Sequence, residues 1–428
     1  MSATISTQGS LPAPLRTGAI WLVGLLALLL LPVVFPKTSV ISTVCLMAIA
    51  IVFSLSYNML LGQTGLLSFG HAVYFGLGGF FAAQVLTKVA GENLPVPLLL
   101  IPLVGGATGL FFGAILGAIS TKRGGTVFAM ITLGVAELVA AMAALMTGFF
   151  GGEQGVSVDR TKAMALFGLR FGSHAQVYYL ILVWCLVCGL CMYYLTRTPF
   201  GRLCNAVRDN PMRVAFVGYS PQRIRFLAFT FSGGFAGIAG ALSVINFEMA
   251  AGTMLDAHQS ASVLLMTFIG GVGHFAGPIL GAILVTWLQF SLSDLTPAWQ
   301  LYLGLLFILV VMYLPGGIAQ LLEMHLGVVR AGLVARLAVP YLKAVGPFVL
   351  ISGSCCLAIE LAYRLTVEKA KGTVLTIGPV SLNAASGWSW VVLAVLLAAG
   401  VAGWRYMRSD FLLAVDDVMN ESRKRLMQ

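Results

Sequence analysis

Charge is scarce in this chain. Only 9% of its 428 residues are Asp, Glu, Lys or Arg, against about 25% in soluble domains. With 59% of residues hydrophobic, a water-soluble fold is excluded and a multi-span membrane protein is implied. A phosphate loop is missing as well. The sequence contains no Gly-Lys dipeptide, so no GxxxxGK[ST] motif exists and the chain has no ATPase site of that kind. The five histidines (71, 174, 258, 274 and 325) form no HExxH, which removes the zinc-hydrolase reading. Seven cysteines are an odd number, and Cys45, Cys185, Cys188, Cys191, Cys355 and Cys356 lie in apolar stretches. Cys185, Cys188 and Cys191 recur every third residue without a neighbouring His or carboxylate, so they read as small hydrophobes rather than metal ligands. The net charge of +10 does not point to nucleic acid, because the basic residues sit in short loops between apolar segments.

What is present is a series of apolar runs of membrane-spanning length. They fall at 18–35, 39–61, 67–87, 96–119, 125–148, 177–195, 226–247, 299–319, 345–363 and 388–404. A longer stretch, 258–290, is interrupted by GGVGHFAGP (270–278), which predicts a helical hairpin or a re-entrant loop. The expected fold class is therefore all-α, a polytopic bundle of about 10–12 spanning or re-entrant segments. The N-terminus has Arg16 before an apolar run but no small-residue cleavage site, and reads as a first span.

Basic residues set the orientation. The loop 196–225 holds six arginines and one Asp and is expected on the cytoplasmic side. Counting spans from there puts both termini inside, with 17 of the 25 basic residues. Gly105, Gly109, Gly113 and Gly117 repeat every fourth residue, as do Gly273, Gly277 and Gly281; Gly233, Gly237 and Gly240 come close. Such spacing predicts closely packed helices. GLFFGAILGAI (109–119) and GHFAGPILGAI (273–283) agree at eight of eleven positions. An inverted repeat and chance in a Gly/Ala/Ile/Leu-rich chain both account for this.

One stretch stands apart. NMLLGQTGLLSFGHAVYFGLGG (58–79) mixes six glycines with Asn58, Gln63, Thr64, Ser68, His71 and Tyr74. Polar groups in hydrocarbon must meet a partner or a water-filled cavity, so these six are candidates for a translocation pathway. LGQTG (61–65) is expected to break the helix between its two glycines. For His71, a helix-to-helix hydrogen bond and pathway lining both remain open. Glu137 is the only carboxylate within 125–148. It is expected to face the bundle interior, be protonated or pair with a base, and pathway and helix-pairing readings both stay open.

These residues carry a resemblance. NMLLGQTGLLSFGHAVYFGLGGFFA resembles the signature of the branched-chain amino acid ABC transporter permeases. Three further stretches fit in order: TGFFGGEQGVS (147–157), TPFGRLCNAVRDNPMRVAFVGYSPQRIRFLAFTFSGGFAGIAGAL (198–242), and LLMTFIGGVGHFAGPILGAIL (264–284) followed by YLPGGIAQLL (313–322). His274 departs from the small or polar residue expected in its turn. The resemblance spans roughly residues 39 to 322 and leaves 331–428 unexplained. It implies a permease core over 1–322; the remaining 323–428 reads, from its apolar runs alone, as an extension with two further spans and a cytoplasmic tail.

The function it implies is inward movement of branched-chain or related amino acids by alternating access in a bacterial inner membrane. A urea or short-chain amide permease of the same family is the alternative, and an ion-coupled secondary transporter a more distant one. No cofactor is expected on this chain; ATP would be bound by partner subunits. The implied partners are cytoplasmic ATP-binding subunits, a second permease subunit (usually a paralogue), an external substrate-binding protein and membrane lipid. Gly201, Arg202, Arg208, Asp209, Asn210, Pro211 and Arg213 are the candidates for the ATPase-coupling loop, as a short helix over 201–209 stopped by Asn210-Pro211. The arginines there suit an acidic groove. Segments near 149–175 and 250–257, with Glu153, Asp159, Glu248 and Asp256, are candidates for docking the binding protein.

Overall fold

The computed structural model describes residues 24, 26–92, 95–164, 171–366, 374–377 and 380–427. Two compact units divide the chain, Met1–Phe290 and Ser291–Gln428. Residues 18–23 and 25 of the expected first span, together with Arg16, Arg170, Lys369 and Lys371, lie outside the described residues. Nine helices among the described residues are long and apolar enough to cross a membrane, and a bent pair makes up to ten.

The first unit is built from α1 (Thr38–Thr64), α2 (Ala72–Glu92), α3 (Ile101–Ser120), α4 (Thr126–Leu145), α5 (His174–Arg197), α6 (Pro199–Asp209), α7 (Pro211–Phe216), α8 (Pro221–Phe247), α9 (Ala257–Gly270) and α10 (Gly277–Leu295). Helix α8 is its central post: 78% of its most apolar stretch is buried, against 33% for α4. Pro221 opens it behind Ser220, whose hydroxyl accepts from the Arg223 amide.

The glycine stripes explain why α8 sits so deep. Gly105 and Gly109 of α3 press on the carbonyls of Gly237 and Gly233, and Gly117 lies where a β-carbon would come 2.8 Å from Phe229. On the other side, Gly240 of α8 meets the carbonyl of Phe75, and Gly78 of α2 meets Gly237. Three backbones thus approach at a spacing that only missing side chains permit.

The interrupted stretch 258–290 is a tight antiparallel hairpin of α9 and α10. Gly270 faces Gly277, and Gly281 faces the Met266 carbonyl. With 14 residues, α9 is about 21 Å long and too short for the roughly 30 Å hydrocarbon layer by itself. GHFAG (273–277) thus lies mostly in the hairpin turn, whereas its look-alike GLFFG (109–113) is continuous helix.

The second unit holds α11 (Trp299–Tyr313), α12 (Gly317–Arg330), α13 (Val334–Thr366) and α14 (Gly387–Met427), with an antiparallel strand pair Val374–Ile377 and Val380–Asn383. The expected span 299–319 is instead bent by 57° between α11 and α12, because Pro315 cannot continue the helix that precedes it. The expected spans 345–363 and 388–404 lie within helices of 33 and 41 residues. Apolarity marks where membrane would be, not where a helix ends. Glu421 joins Arg336 and Arg425, tying the start of α13 to the end of α14. Tyr302 donates to Glu360 at 3.0 Å.

Candidate functional site

The polar stretch 58–79 forms the end of α1, a non-helical segment and the start of α2. The expected break between Gly62 and Gly65 is corrected by the structure, since α1 continues through Gly62, Gln63 and Thr64. Gly62 fits inside the helix because its missing side chain leaves room for the Asn58 amide and the Val272 carbonyl. The helix stops at Gly65, whose φ of 71° is the left-handed conformation that suits glycine.

Around the segment 65–71 the first unit keeps a dense polar network. Ser56 Oγ lies 3.0 Å from His71 Nε2, and Tyr57 donates to the Ser68 carbonyl at 2.9 Å. Ser232 of α8 donates to the Ser56 carbonyl at 2.6 Å, and the Ala72 amide donates to Ser260 of α9 at 3.0 Å. Ser54 donates to the Pro278 carbonyl at 3.0 Å. The His71 ring stacks on Phe53 and meets Tyr57 and Tyr74 edge-on. Asn58, Thr64, Ser68, His71 and Tyr74 are buried, and Gln63 is half-buried. In this conformation they are enclosed within one chain, where Thr64 donates to the Leu60 carbonyl at 2.6 Å and Ser68 accepts from the Gly70 amide at 3.4 Å. Among the described residues, His71 Nδ1, Asn58 Oδ1 and Gln63 Oε1 have no hydrogen-bond partner.

Of the alternatives for Glu137, the interior of this chain's own bundle is not the one the structure shows. The residue lies on the exposed side of α4, next to Leu138 at 67% exposure. The opposite side of α4 packs on the break: the Phe69 amide donates to Thr132 Oγ1 at 3.2 Å. A lone carboxylate near mid-span costs about 3 kcal/mol if left in lipid. This face of α4 therefore needs a protein or water partner.

The expected coupling loop forms two short helices rather than one. Thr198 caps α6 by accepting from the Gly201 amide at 3.4 Å. Asn210 ends α6 and starts α7, its Oδ1 accepting from the amides of Met212 and Arg213, each at 3.1 Å. Pro211 thus opens a helix instead of only closing one. Cys204, Val207, Val214, Ile224 and Ala228 form a small core beneath the pair. Burial pushes the Cys204 thiol up to about 12, making it an inert core group. Arg202, Arg208 and Arg213 are all exposed. Arg208, expected alongside the other two as a contact for an ATPase subunit, turns into its own chain and donates to the Gly62 carbonyl; Asp209 pairs with it at 3.3 Å.

Sequence reasoning missed an apolar patch here. Met212 (65% exposed), Phe216 (85%), Val217 (74%) and Tyr219 are presented outward, beside a cleft of about 320 Å³ between Leu203, Ala206, Arg213 and Tyr219. The signal was available: four large apolar residues within eight positions of the most Arg-rich loop.

The segments near 149–175 and 250–257 are brought together at the far end of α8. Val156 and Ser157 pair antiparallel with Ala250 and Met249. Arg160, only 5% exposed, fastens this corner. It donates to the carbonyls of Phe171, Ile245 and Asn246 at 3.1, 3.0 and 3.2 Å, and pairs with Glu248 at 3.2 Å. Glu153, Asp159 and Asp256 are exposed. Thr161 donates to Asp159 through its hydroxyl and its amide, which holds the Asp159 carboxyl below the usual carboxylate range. Removing the Arg160 guanidinium in Arg160→Ala leaves three carbonyls and Glu248 without their partner. We expect a loss of about 3 kcal/mol, read as a lower unfolding temperature in detergent, with Arg160→Lys recovering only part because it lacks the planar fork.

A polar core inside a multi-span bundle, a pair of capped short helices at one end and a fastened loop corner at the other define a multi-pass membrane transport subunit. The chain belongs to the family described as branched-chain amino acid transport system, permease component, which matches residues 39–315. It is 29% identical to the high-affinity branched-chain amino acid transport system permease protein LivM of Escherichia coli (strain K12) over 318 residues, 69% of this chain and 74% of that protein. It is 24% identical to a probable LivM of Methanocaldococcus jannaschii over 62% of this chain and 89% of the relative. It is also 29% identical to the autoinducer 2 import system permease protein LsrC of Salmonella paratyphi B, over 49% of this chain and 59% of that protein. No solved structure matches the chain.

Proposed function

We propose that this chain is the permease subunit of an ATP-driven importer that moves branched-chain amino acids inward across a bacterial inner membrane. The observation that carries the reading is the α6–α7 pair, which offers exposed arginines and an exposed apolar patch on a rigid, capped base. An ATP-binding subunit would dock there from the cytoplasm. The end bearing 149–164 and 249–257 would face outward and receive a substrate-binding protein on Glu153, Asp159 and Asp256. Both chain termini would then be cytoplasmic. Energy comes from the partner, because the sequence carries no phosphate loop.

A second permease subunit covers α4 in this reading. The pathway then runs between the two subunits, with Glu137 facing it, and opens alternately to each side as ATP closes the partner subunits. Asn58, Gln63, Thr64, Ser68, His71 and Tyr74 support the wall of that pathway from behind α4. Residues 323–428 form an addition to the permease core over 1–322.

The deciding experiment is uptake of radiolabelled leucine into cells expressing the chain with its ATP-binding, second permease and binding-protein partners. We expect uptake to survive collapse of the proton and sodium gradients and to stop on ATP depletion. The reverse pattern would establish an ion-coupled transporter, and uptake of urea or short amides in place of leucine would move the substrate within the family.

A further inference from the structure

Helix α1 ends without a cation of its own, having no basic residue in its last turn. Its final carbonyls nevertheless carry the partial negative charge of the helix and need donors. The Gly65 and Leu66 amides serve Leu60 and Leu61. The Gly62 carbonyl is served from 146 residues away, by Arg208 of α6. The stem of Arg208 lies on Gly65, where a β-carbon would come 3.0 Å from Arg208 Cγ. Asp209 holds the guanidinium from the other side at 3.3 Å.

The segment that begins at Gly65 leads directly to α4. Phe69 donates to Thr132 there, and Gly70 packs so closely on the Thr132 carbonyl that no side chain would fit. A β-carbon on Gly70 would also sit 3.4 Å from Ala136, the neighbour of Glu137.

We propose that Arg208 is a positioning residue that ties α6 to the broken end of α1, so that movement of the α6–α7 pair is delivered through residues 65–71 onto α4. The inference rests on the importer reading for what moves α6, but the tie itself does not. Arg208 then acts through Gly62 rather than by touching an ATP-binding subunit. A planar, permanently charged fork suits this task, since it can hold the carbonyl and Asp209 at once.

Two measurements test it. The first is hydrogen exchange on the full chain in detergent, comparing wild type with Arg208→Gln. Amides of residues 65–70 should exchange about ten-fold faster in the variant while α8 is unchanged. The second uses the assembled transporter in liposomes and compares leucine taken up per ATP hydrolysed. Arg208→Gln should keep its ATP-binding subunit and its hydrolysis but fall about ten-fold in uptake per ATP. Arg208→Lys should recover part of the loss. Gly65→Ala, which displaces the arginine stem, should act in the same direction, and the double variant should be no worse than the stronger single one.

Unchanged exchange at 65–70 would overturn the tie whatever transport shows. Loss of the ATP-binding subunit from Arg208→Gln, or normal uptake per ATP, would overturn the positioning role. If exchange rises but the wild-type assembly shows no ATP-driven uptake, the importer reading falls with the coupling role, and the tie alone stands.

Discussion

Gly240→Val is expected to leave almost no folded chain in the membrane fraction. A β-carbon at position 240 would overlap the Phe75 carbonyl and crowd the Gly79 amide, both of them backbone and unable to swing away. Relief requires α2 and α8 to part. That would open the contacts of Gly78 with Gly237 and of Tyr74 with Gly233 at the same time. Overpacking in a core costs about 1–3 kcal/mol where side chains can adjust. Here backbone must move, so about 3 kcal/mol or more is expected, a large share of a total near 10 kcal/mol. The signature is loss of the monodisperse peak when a tagged chain is run by size exclusion in mild detergent. Gly353→Val is the control, because nothing lies within 4 Å of that site, and it should run as wild type. A normal profile for Gly240→Val would mean that the α2–α8 contact is looser than the glycine spacing implies.

The same glycines show what a sequence can and cannot announce. Spacing by four along 105–117 announced close packing, and the structure supplies the partner, α8, which no local pattern could name. The spans were legible because hydropathy reports burial in lipid or protein alike. That equivalence is also why helix ends were missed. Residues 405–427 continue α14 although Arg405, Arg408 and Asp410 end the apolar run, since a helix needs propensity and not apolarity.

The polar stretch was legible as unusual, but not which way it faced. Ser56, Thr132, Ser232 and Ser260 lie in three other helices and within α1 itself, so the partners that enclose His71 and its neighbours emerge only in three dimensions. Facing the interior was one of three ways to meet the energetic cost of Glu137 within a span, and that cost holds at its exposed position as well. A carboxylate shuns lipid, which is why the proposed second permease subunit is set against this face. The contact of Arg208 with its own chain is not legible in sequence, because arginines in a basic loop look alike. Only the end of α1, with carbonyls and no nearby cation, distinguishes it from Arg202 and Arg213.

Phe216→Asp should cost the chain its ATP-binding subunit while leaving its own fold intact. The side chain is 85% exposed, so it contributes little to the stability of this chain and its loss should not shift unfolding. Aromatic residues beside arginines are where binding energy concentrates at protein interfaces. Val217 and Tyr219 line one cleft with Arg213, and Phe216 and Met212 are exposed on the same short helix as Arg213. Burying Phe216 in a partner groove is worth about 2 kcal/mol or more, and replacing it with a carboxylate adds the cost of placing a charge there. We therefore expect the co-purified ATP-binding subunit to fall by about 30-fold or more. Arg213→Glu should weaken association less and mainly at low salt, as expected for a rim charge. Arg208→Gln should leave association unchanged, because its guanidinium is spent on Gly62. This ordering separates docking from relay within one loop. If all three variants lost the ATP-binding subunit equally, the loop would act as a single docking surface and Arg208 would have no separate task. If none did, the partner would dock elsewhere, and the exposed phenylalanine would instead be a membrane-surface anchor, recognisable because Phe216→Asp would then lower partitioning of the loop into lipid headgroups.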